Sequence, residues 1–472
     1  MKIAGIYPQR LKTDFSIQHA VSEPYGLEKI LAIAKQEGHE VELFIPAEEN
    51  ENGIVPISDE AFIDRIAEYK PDIAAFSMYT CQYPFGKKVA EELKKRQNVL
   101  TIAGNRYPTH LRYPEQPFDF FVLKEGELTF RELLARIDKK QQVGDVKGIS
   151  FGNVITEARE RNFNLDSLPN ALRFPVILNQ VYRGISIPPL SSNPHYAIME
   201  YSRCCYNSCK FCDNKGFWGN KVIFRSPDRV VDEMFELKER GVDVFYFIDL
   251  NFTAFPEKTL ELCKRMTDRR LGASWYCMSN IATLDGRDDV LRALKEAGCY
   301  RISWGVESTD DNALRKMNKR VGRDLTTNEQ TGRVLQKSLD AGILNLAYYI
   351  IGFPWEYPHS ILKDAGKLKH LAIHQLNVGI FTPIPLSRFY DKMAGEYKFN
   401  TNLEKHDRSN LIYNHKMLTN RTVKALQQRI YHDFYKSPEY LERLRATCTI
   451  DPRFRQAFND YFQFAGMEAR AA

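Results

Sequence analysis

Three thiols stand within one short stretch, Cys205-Tyr-Asn-Ser-Cys209-Lys-Phe-Cys212, spaced C-x3-C-x2-C. Clustered thiolates suit a soft metal or an iron–sulfur cluster. A closed tetrahedral zinc site wants a fourth ligand and usually two spaced pairs, and no second cysteine or histidine pair stands nearby. A [4Fe–4S] cube held by three cysteines leaves one iron open for a substrate or cofactor. Buried free cysteines are the alternative that needs no metal. Cys204 offers a second register, Cys204-x4-Cys209. The triplet follows a strand-like run, Tyr196-Ala-Ile-Met-Glu200, the place where α/β barrels carry catalytic loops.

More chemistry-bearing residues fall where strand-like runs end. Asp249 and Asn251 follow Val244–Ile248, and Gly305-Val-Glu307-Ser308 follows Tyr300–Trp304. Gly352-Phe-Pro354-Trp-Glu356 follows Asn345–Ile351, and Pro383-Ile-Pro385 follows Leu376–Phe381. With Tyr196–Glu200 and Ser274–Met278 these runs make six βα repeats. Ser226-Pro227 reads as a cap and first helical position. That helix runs to Arg240, stops at Gly241 and buries Val230, Val231, Met234, Phe235 and Leu237. With no ligand to hold, Asp249 reads as a turn or cap residue and Glu307 as half of a buried ion pair.

These turns, in this order behind a C-x3-C-x2-C loop, resemble the radical SAM superfamily. The resemblance implies a partial (β/α)6 barrel with a [4Fe–4S] cluster on Cys205, Cys209 and Cys212. SAM then binds the open iron through its amino and carboxylate groups. The family's chemistry is reductive cleavage of SAM to methionine and a 5′-deoxyadenosyl radical, and its electron comes from a flavodoxin- or ferredoxin-type donor. Phe211 matches the aromatic residue before the last cysteine. Asp249 and Asn251 match the position that binds the SAM amino group, Glu307 and Ser308 the ribose or methionine pocket, and Gly352 the turn on adenine. Two positions depart from the pattern. Asn280 stands where relatives often carry Arg, and Leu386-Ser387 replaces Gly-Thr. Glu356 is the candidate acid/base, although nothing in the sequence selects it.

Residues up to about 140 alternate strand and helix, which argues for a parallel, doubly wound Rossmann-like sheet. Ser58 caps the helix Asp59–Tyr69 in this reading. Ligands in such sheets bind beyond the carboxyl ends of the strands. There the chain offers Ser77, Thr80, Gly104, Asn105, Thr109, Gly126, Glu127 and Thr129. Their spacing resembles the cobalamin (B12)-binding domain that precedes many radical SAM barrels. Asn105 replaces that pattern's second glycine, and an Asn side chain there stands to crowd the cobalamin tail. The Asp-x-His-x-x-Gly cobalt-ligand motif does not occur in the chain, as in many relatives.

The expected organisation is therefore α/β in class. It runs 1–140 Rossmann-like, 141–189 linker, 190–395 partial barrel and 396–472 helical, ending in a frayed terminus. In the last part Tyr431, Phe434, Tyr435 and Tyr440 read as packing residues. The chain has 472 residues, 43% hydrophobic and 27% charged, with nine cysteines and a formal charge of +6. That is ordinary globular composition. It suggests neither a secreted disulfide framework nor an obligate nucleic-acid partner, and no apolar run is long enough to span a bilayer. A cytoplasmic enzyme acting on a small molecule, with a secondary metabolite favoured by the resemblance, is the expectation. Cobalamin-dependent methyl transfer leads. Cobalamin-independent dehydration, deoxygenation or epimerisation of a sugar or aminosugar is the alternative, and an iron–sulfur redox protein a remote one.

Overall fold

A computed structural model describes residues 1–9, 23–50, 53–178, 195–321 and 324–450. The expected frayed end, the expected start of the barrel and the end of the expected linker lie outside them. The chain divides into two compact units. One is Met1–Gln180 with Gly216–Trp218 and Thr401–Asp407; the other is Val181–Lys215, Gly219–Asn400 and Arg408–Ala472.

The first unit is built on five parallel strands in the spatial order Glu40–Phe44, Lys2–Ile6, Ile73–Ser77, Leu100–Gly104, Phe120–Val122. Successive strand residues point to opposite faces, and both faces are apolar. Ile3, Ile73, Ala75, Ile102 and Val122 pack with Leu27, Leu31 and Leu133 on one side. Ala4, Ile6, Ala74, Phe76, Ala103 and Phe121 pack with Phe62 and Val89 on the other. Two-sided burial makes the sheet doubly wound. Strand order reverses between Lys2–Ile6 and Ile73–Ser77, so the ligand crevice of this topology opens beyond their carboxyl ends. Ser58 caps Asp59–Tyr69 by accepting from Ala61 N at 3.1 Å. Within the stretch expected as linker, strand Ile149–Phe151 pairs antiparallel with Phe120–Val122, and Val154–Ile155 pairs antiparallel with Ile149–Phe151. Two- and three-residue strands are too short for periodicity to announce them.

The second unit holds six parallel strands in sequential order: Tyr196–Met199, Val244–Phe247, Ser274–Asn280, Cys299–Glu307, Leu344–Ile351 and Gln375–Ile380. Sequential parallel strands joined through helices are the arrangement of a βα barrel. The helix Pro227–Glu239 carries Pro at its first turn and ends before Gly241 at φ 87°. Two details of its expected form are corrected. Ser226 makes no capping hydrogen bond. Phe235 is half-buried, lying under the Arg269 guanidinium at 5.0 Å.

Six strands do not close a ring, so the last strand leaves an edge with unpaired backbone groups. The helix Asn420–Tyr435 covers it. Tyr435 Oη accepts from Leu376 N and Tyr431 Oη from Val378 N, both at 2.9 Å. Gln427 Nε2 donates to Val378 O at 2.6 Å. Gln427, Tyr431 and Tyr435 recur every fourth residue, which puts them on one helix face. One helical turn, about 5.4 Å, nearly matches the two-residue repeat of a strand, about 6.6 Å. Phe434, Tyr435 and Tyr440 are buried, and Tyr440 Oη donates to His374 O at 3.0 Å.

Candidate active site

The cysteine loop leaves the first barrel strand at Glu200 and is held at several points. Ser202–Arg203 pairs antiparallel with Ile223–Phe224 across its base. Asp249, fully buried after the second strand, accepts from Tyr201 N at 3.0 Å and from Ser202 N and Oγ at 2.5 Å each. Burial nevertheless pushes its carboxyl up to about 7, against the downward pull of those hydrogen bonds. Buried ion pairs Arg203–Glu200 at 2.8 Å and Arg225–Glu233 at 2.7 Å lie beneath the loop. On its far side Asn318 Nδ2 donates to Ser208 O and Oγ at 3.0 Å each, and Lys210 N donates to Met317 O at 2.8 Å.

Cys204 is 1% exposed and has φ 83°. Its sulfur lies 3.5 and 3.4 Å from the carbonyl oxygens of Cys205 and Gly219, a setting that suits a protonated thiol. Cys205, Cys209 and Cys212 form no disulfide and are only partly buried. Among the described residues no three Cys, His, Asp or Glu side chains converge on a single metal ion. Three thiols on one pinned loop suit an iron–sulfur cluster, whereas a closed zinc site wants a fourth ligand. Burial pushes the Cys205 thiol up to about 11, so binding iron releases its proton.

The expected SAM-contacting residues gather around the carboxyl ends of the barrel strands. Asn251 Oδ1 accepts from Asn280 N at 3.0 Å, while Asn251 Nδ2 is buried with no partner among the described residues. An orphaned buried donor costs about 1–3 kcal/mol unless a ligand satisfies it, which fits a bound cofactor. Asn280 Oδ1 accepts from Ala282 N at 3.2 Å. Glu307, at φ 65°, pairs with buried Lys319 at 2.8 Å. Ser308 Oγ accepts from Asp310 N at 3.1 Å.

After the fifth strand Gly352 takes φ 90°, a conformation that favours glycine. Glu356 Oε2 accepts from Gly352 N at 2.6 Å and Phe353 N at 2.9 Å, and burial raises its carboxyl to about 7. Tyr413 Oη donates to Gly352 O at 2.5 Å, and His415 Nε2 lies 2.9 Å from Phe353 O. His415 Nδ1 accepts from Met417 N and Leu418 N, which fixes Nε2 as the protonated nitrogen of a neutral ring. Phe353 stacks on Trp355 at 4.8 Å and Phe381 at 4.3 Å, and meets Phe211 edge-on at 6.5 Å.

In the first unit the expected cobalamin residues form a linked turn. Asn105 Nδ2 donates to Ser77 Oγ at 3.0 Å, and its Oδ1 accepts from Arg106 N at 2.8 Å. Thr109 Oγ1 donates to Asn105 O at 2.8 Å and accepts from Lys124 N at 2.9 Å. Asn105 itself has φ 83° and ψ −159°, backbone that a glycine adopts at little cost. Its side chain is thus folded onto the strand end and the helix N-terminus. A Cβ built on Gly104 would meet nothing nearer than Val122 O at 3.5 Å. Thr80 opens the short helix Thr80–Gln82, and Glu127 opens Glu127–Asp138. With the Asn105 amide drawn back, these strand ends fit a flat ligand lying on backbone.

Sequence reasoning did not single out Asn318, Lys319, Tyr413 or His415. Each acts on a motif far away in the chain, and a single Asn, Lys, Tyr or His carries no spacing signal.

Residues 199–368 match the radical SAM superfamily model and residues 19–134 the B12 binding domain model. The chain thus carries a radical SAM domain with a B12-binding domain ahead of it. Within that class it is 26% identical over 452 residues to an uncharacterized methyltransferase of Pyrococcus horikoshii, covering 93% of this chain and 94% of the relative. It is also 26% identical over 375 residues to the anaerobic magnesium-protoporphyrin IX monomethyl ester cyclase of Rubrivivax gelatinosus, covering 76% of this chain and 64% of that protein. In fold it is similar to the radical S-adenosylmethionine methyltransferase TsrM of Kitasatospora setae, solved with cobalamin and a [4Fe–4S] cluster. There the TM-score is 0.68 at 14% identity, over 93% of this chain and 89% of that one.

Proposed function

We propose that this enzyme transfers a methyl group to a small molecule, using a [4Fe–4S] cluster, SAM and cobalamin. The observations that carry the reading are the three-thiol loop pinned through Asp249 and Asn318, and the orphaned Asn251 amide at the next strand end. Cys205, Cys209 and Cys212 would hold the cluster, and Cys204 would not. Asn251 and the Gly352 turn would bind SAM, with Asp249 fixing the loop and Glu356 the turn. The strand ends at Ser77, Thr80, Gly104, Asn105, Thr109 and Glu127 would carry the corrinoid. When bound, these groups supply a 5′-deoxyadenosyl radical that removes a substrate hydrogen and a methyl group that replaces it. Glu356 is no acid/base in this reading, because its Oε2 is committed to two backbone amides. A flavodoxin- or ferredoxin-type protein supplies the electron.

The test is anaerobic purification from cells taking up cobalamin, followed by incubation with methyl-labelled SAM and candidate metabolites. One equivalent of corrinoid, with S-adenosylhomocysteine and a labelled product, supports the reading. Full turnover without corrinoid contradicts it and favours a rearrangement or dehydration outcome.

A further inference from the structure

Lys319 is 4% exposed, an unusual place for an ammonium group. Its Nζ lies 2.8 Å from Glu307 Oε1. Gly305 makes room for the pair, since a Cβ there would sit 2.6 Å from both Lys319 Nζ and Glu307 Oε1. Met317 and Asn318, just before Lys319, are the residues that bond Lys210 and Ser208 on either side of Cys209. One short segment thus pins the cysteine loop and buries a cation next to it. Lys319 interacts electrostatically with both Cys209 and Cys205. The ammonium thus sits within electrostatic reach of the thiols, and the Glu307 carboxylate holds it in place.

We propose that Lys319, positioned by Glu307, is a buried counter-charge that sets the reduction potential of the cluster on Cys205, Cys209 and Cys212. The inference rests on the cluster assignment above. A [4Fe–4S] cube on three thiolates carries net charge −1 oxidised and −2 after taking one electron from its donor. A fixed cation in a low-dielectric site stabilises the second state more than the first. Net charge and surroundings are among the factors that set such potentials. Leaving Lys319 unpaired would cost stability, which explains why Glu307 accepts a left-handed backbone to reach it. Lys319 is a positioning and tuning residue, not a ligand.

The experiment is an anaerobic redox titration of reconstituted protein without SAM, followed by the electron paramagnetic resonance signal of the reduced cluster. Iron and sulfide per chain are measured alongside. Lys319→Met is expected to keep its cluster and to lower the ratio of reduced to oxidised cluster about tenfold at a fixed potential, a shift of about 59 mV for one electron. Glu307→Gln, which removes the neutralising charge, is expected to raise that ratio, and Lys319→Arg to leave it near wild type. A full cluster with unchanged potential in Lys319→Met overturns the proposal, all the more if SAM affinity falls instead. If Lys319→Met takes up no cluster, Glu307→Gln decides: an unmoved potential overturns the proposal and a raised one sustains it. Wild-type protein that takes up no cluster overturns the reading of the cysteines instead.

Discussion

Cys204 and Cys205 are neighbours with opposite fates. Cys204 is buried and turns at φ 83° toward carbonyl oxygens, while Cys205 is only partly buried. Cys204→Ala is expected to retain full iron and sulfide after reconstitution, and Cys205→Ala to lose the cluster, as read by the visible absorption band. The bare spacing leaves both registers available, the family pattern points to Cys205, and the fold gives the two neighbours different settings. The same lesson holds at Asn105 and Leu386. Both replace glycines of the related pattern, and both keep a left-handed backbone, at φ 83° and φ 72°. Ser387 preserves the chemistry of the absent Thr by capping the next helix, accepting from Tyr390 N at 3.2 Å. An alanine at positive φ bears a Cβ clash of about 1–2 kcal/mol that glycine escapes. Leu386→Gly should therefore unfold at higher denaturant than Leu386→Ala by about 1 kcal/mol, and Asn105→Gly likewise exceed Asn105→Ala. Equal midpoints within a pair would remove strain from the account.

At the scale of elements, the Gly352–Glu356 turn and the barrel's last strand show how a site is held. Glu356 has its pKa raised by burial from 4.5 to about 7. For a carboxyl raised on folding, stability is fully present below the unfolded pKa and falls as pH rises through the folded one. Wild-type stability should thus decline between about pH 4.5 and 7. Glu356→Gln keeps an oxygen for both amides but no titrating proton, so its thermal midpoint should fall less over that range; identical slopes would exclude Glu356 as the cause. On the helix-covered edge of Gln375–Ile380, Tyr435→Phe strands the buried Leu376 N–H and should cost about 1–3 kcal/mol. Tyr431→Phe, whose site water can reach, should cost less. Urea midpoints with unchanged slopes would report both. The helical periodicity of 422–435 marked this helix as packing, and packing is what Phe434 does. The hydroxyls' task was not legible, because it depends on an edge that exists only once six strands have rolled up.

At the scale of the molecule, alternation of apolar strands and amphipathic helices predicted both sheets, and the six barrel strands lie within a few residues of their expected bounds. Strong periodicity and glycine stops such as Gly241 carried that information. What the sequence hid was the short strands at 149–151 and 154–155, the segment 401–407 that belongs with the first unit, and the Lys319 partner of Glu307. The candidate site was legible as motifs, and its hydrogen-bonded supports were not. Among the described residues no helix is long and apolar enough to cross a membrane. The central claim is that the three-thiol loop and the strand-end turns form one device for cleaving SAM. The most direct measurement is 5′-deoxyadenosine formed by anaerobically reconstituted protein with SAM and a chemical reductant, beside Cys205→Ala treated identically. The account predicts deoxyadenosine from the wild type and none from the variant. A wild type that carries a full [4Fe–4S] complement yet forms no deoxyadenosine would contradict it.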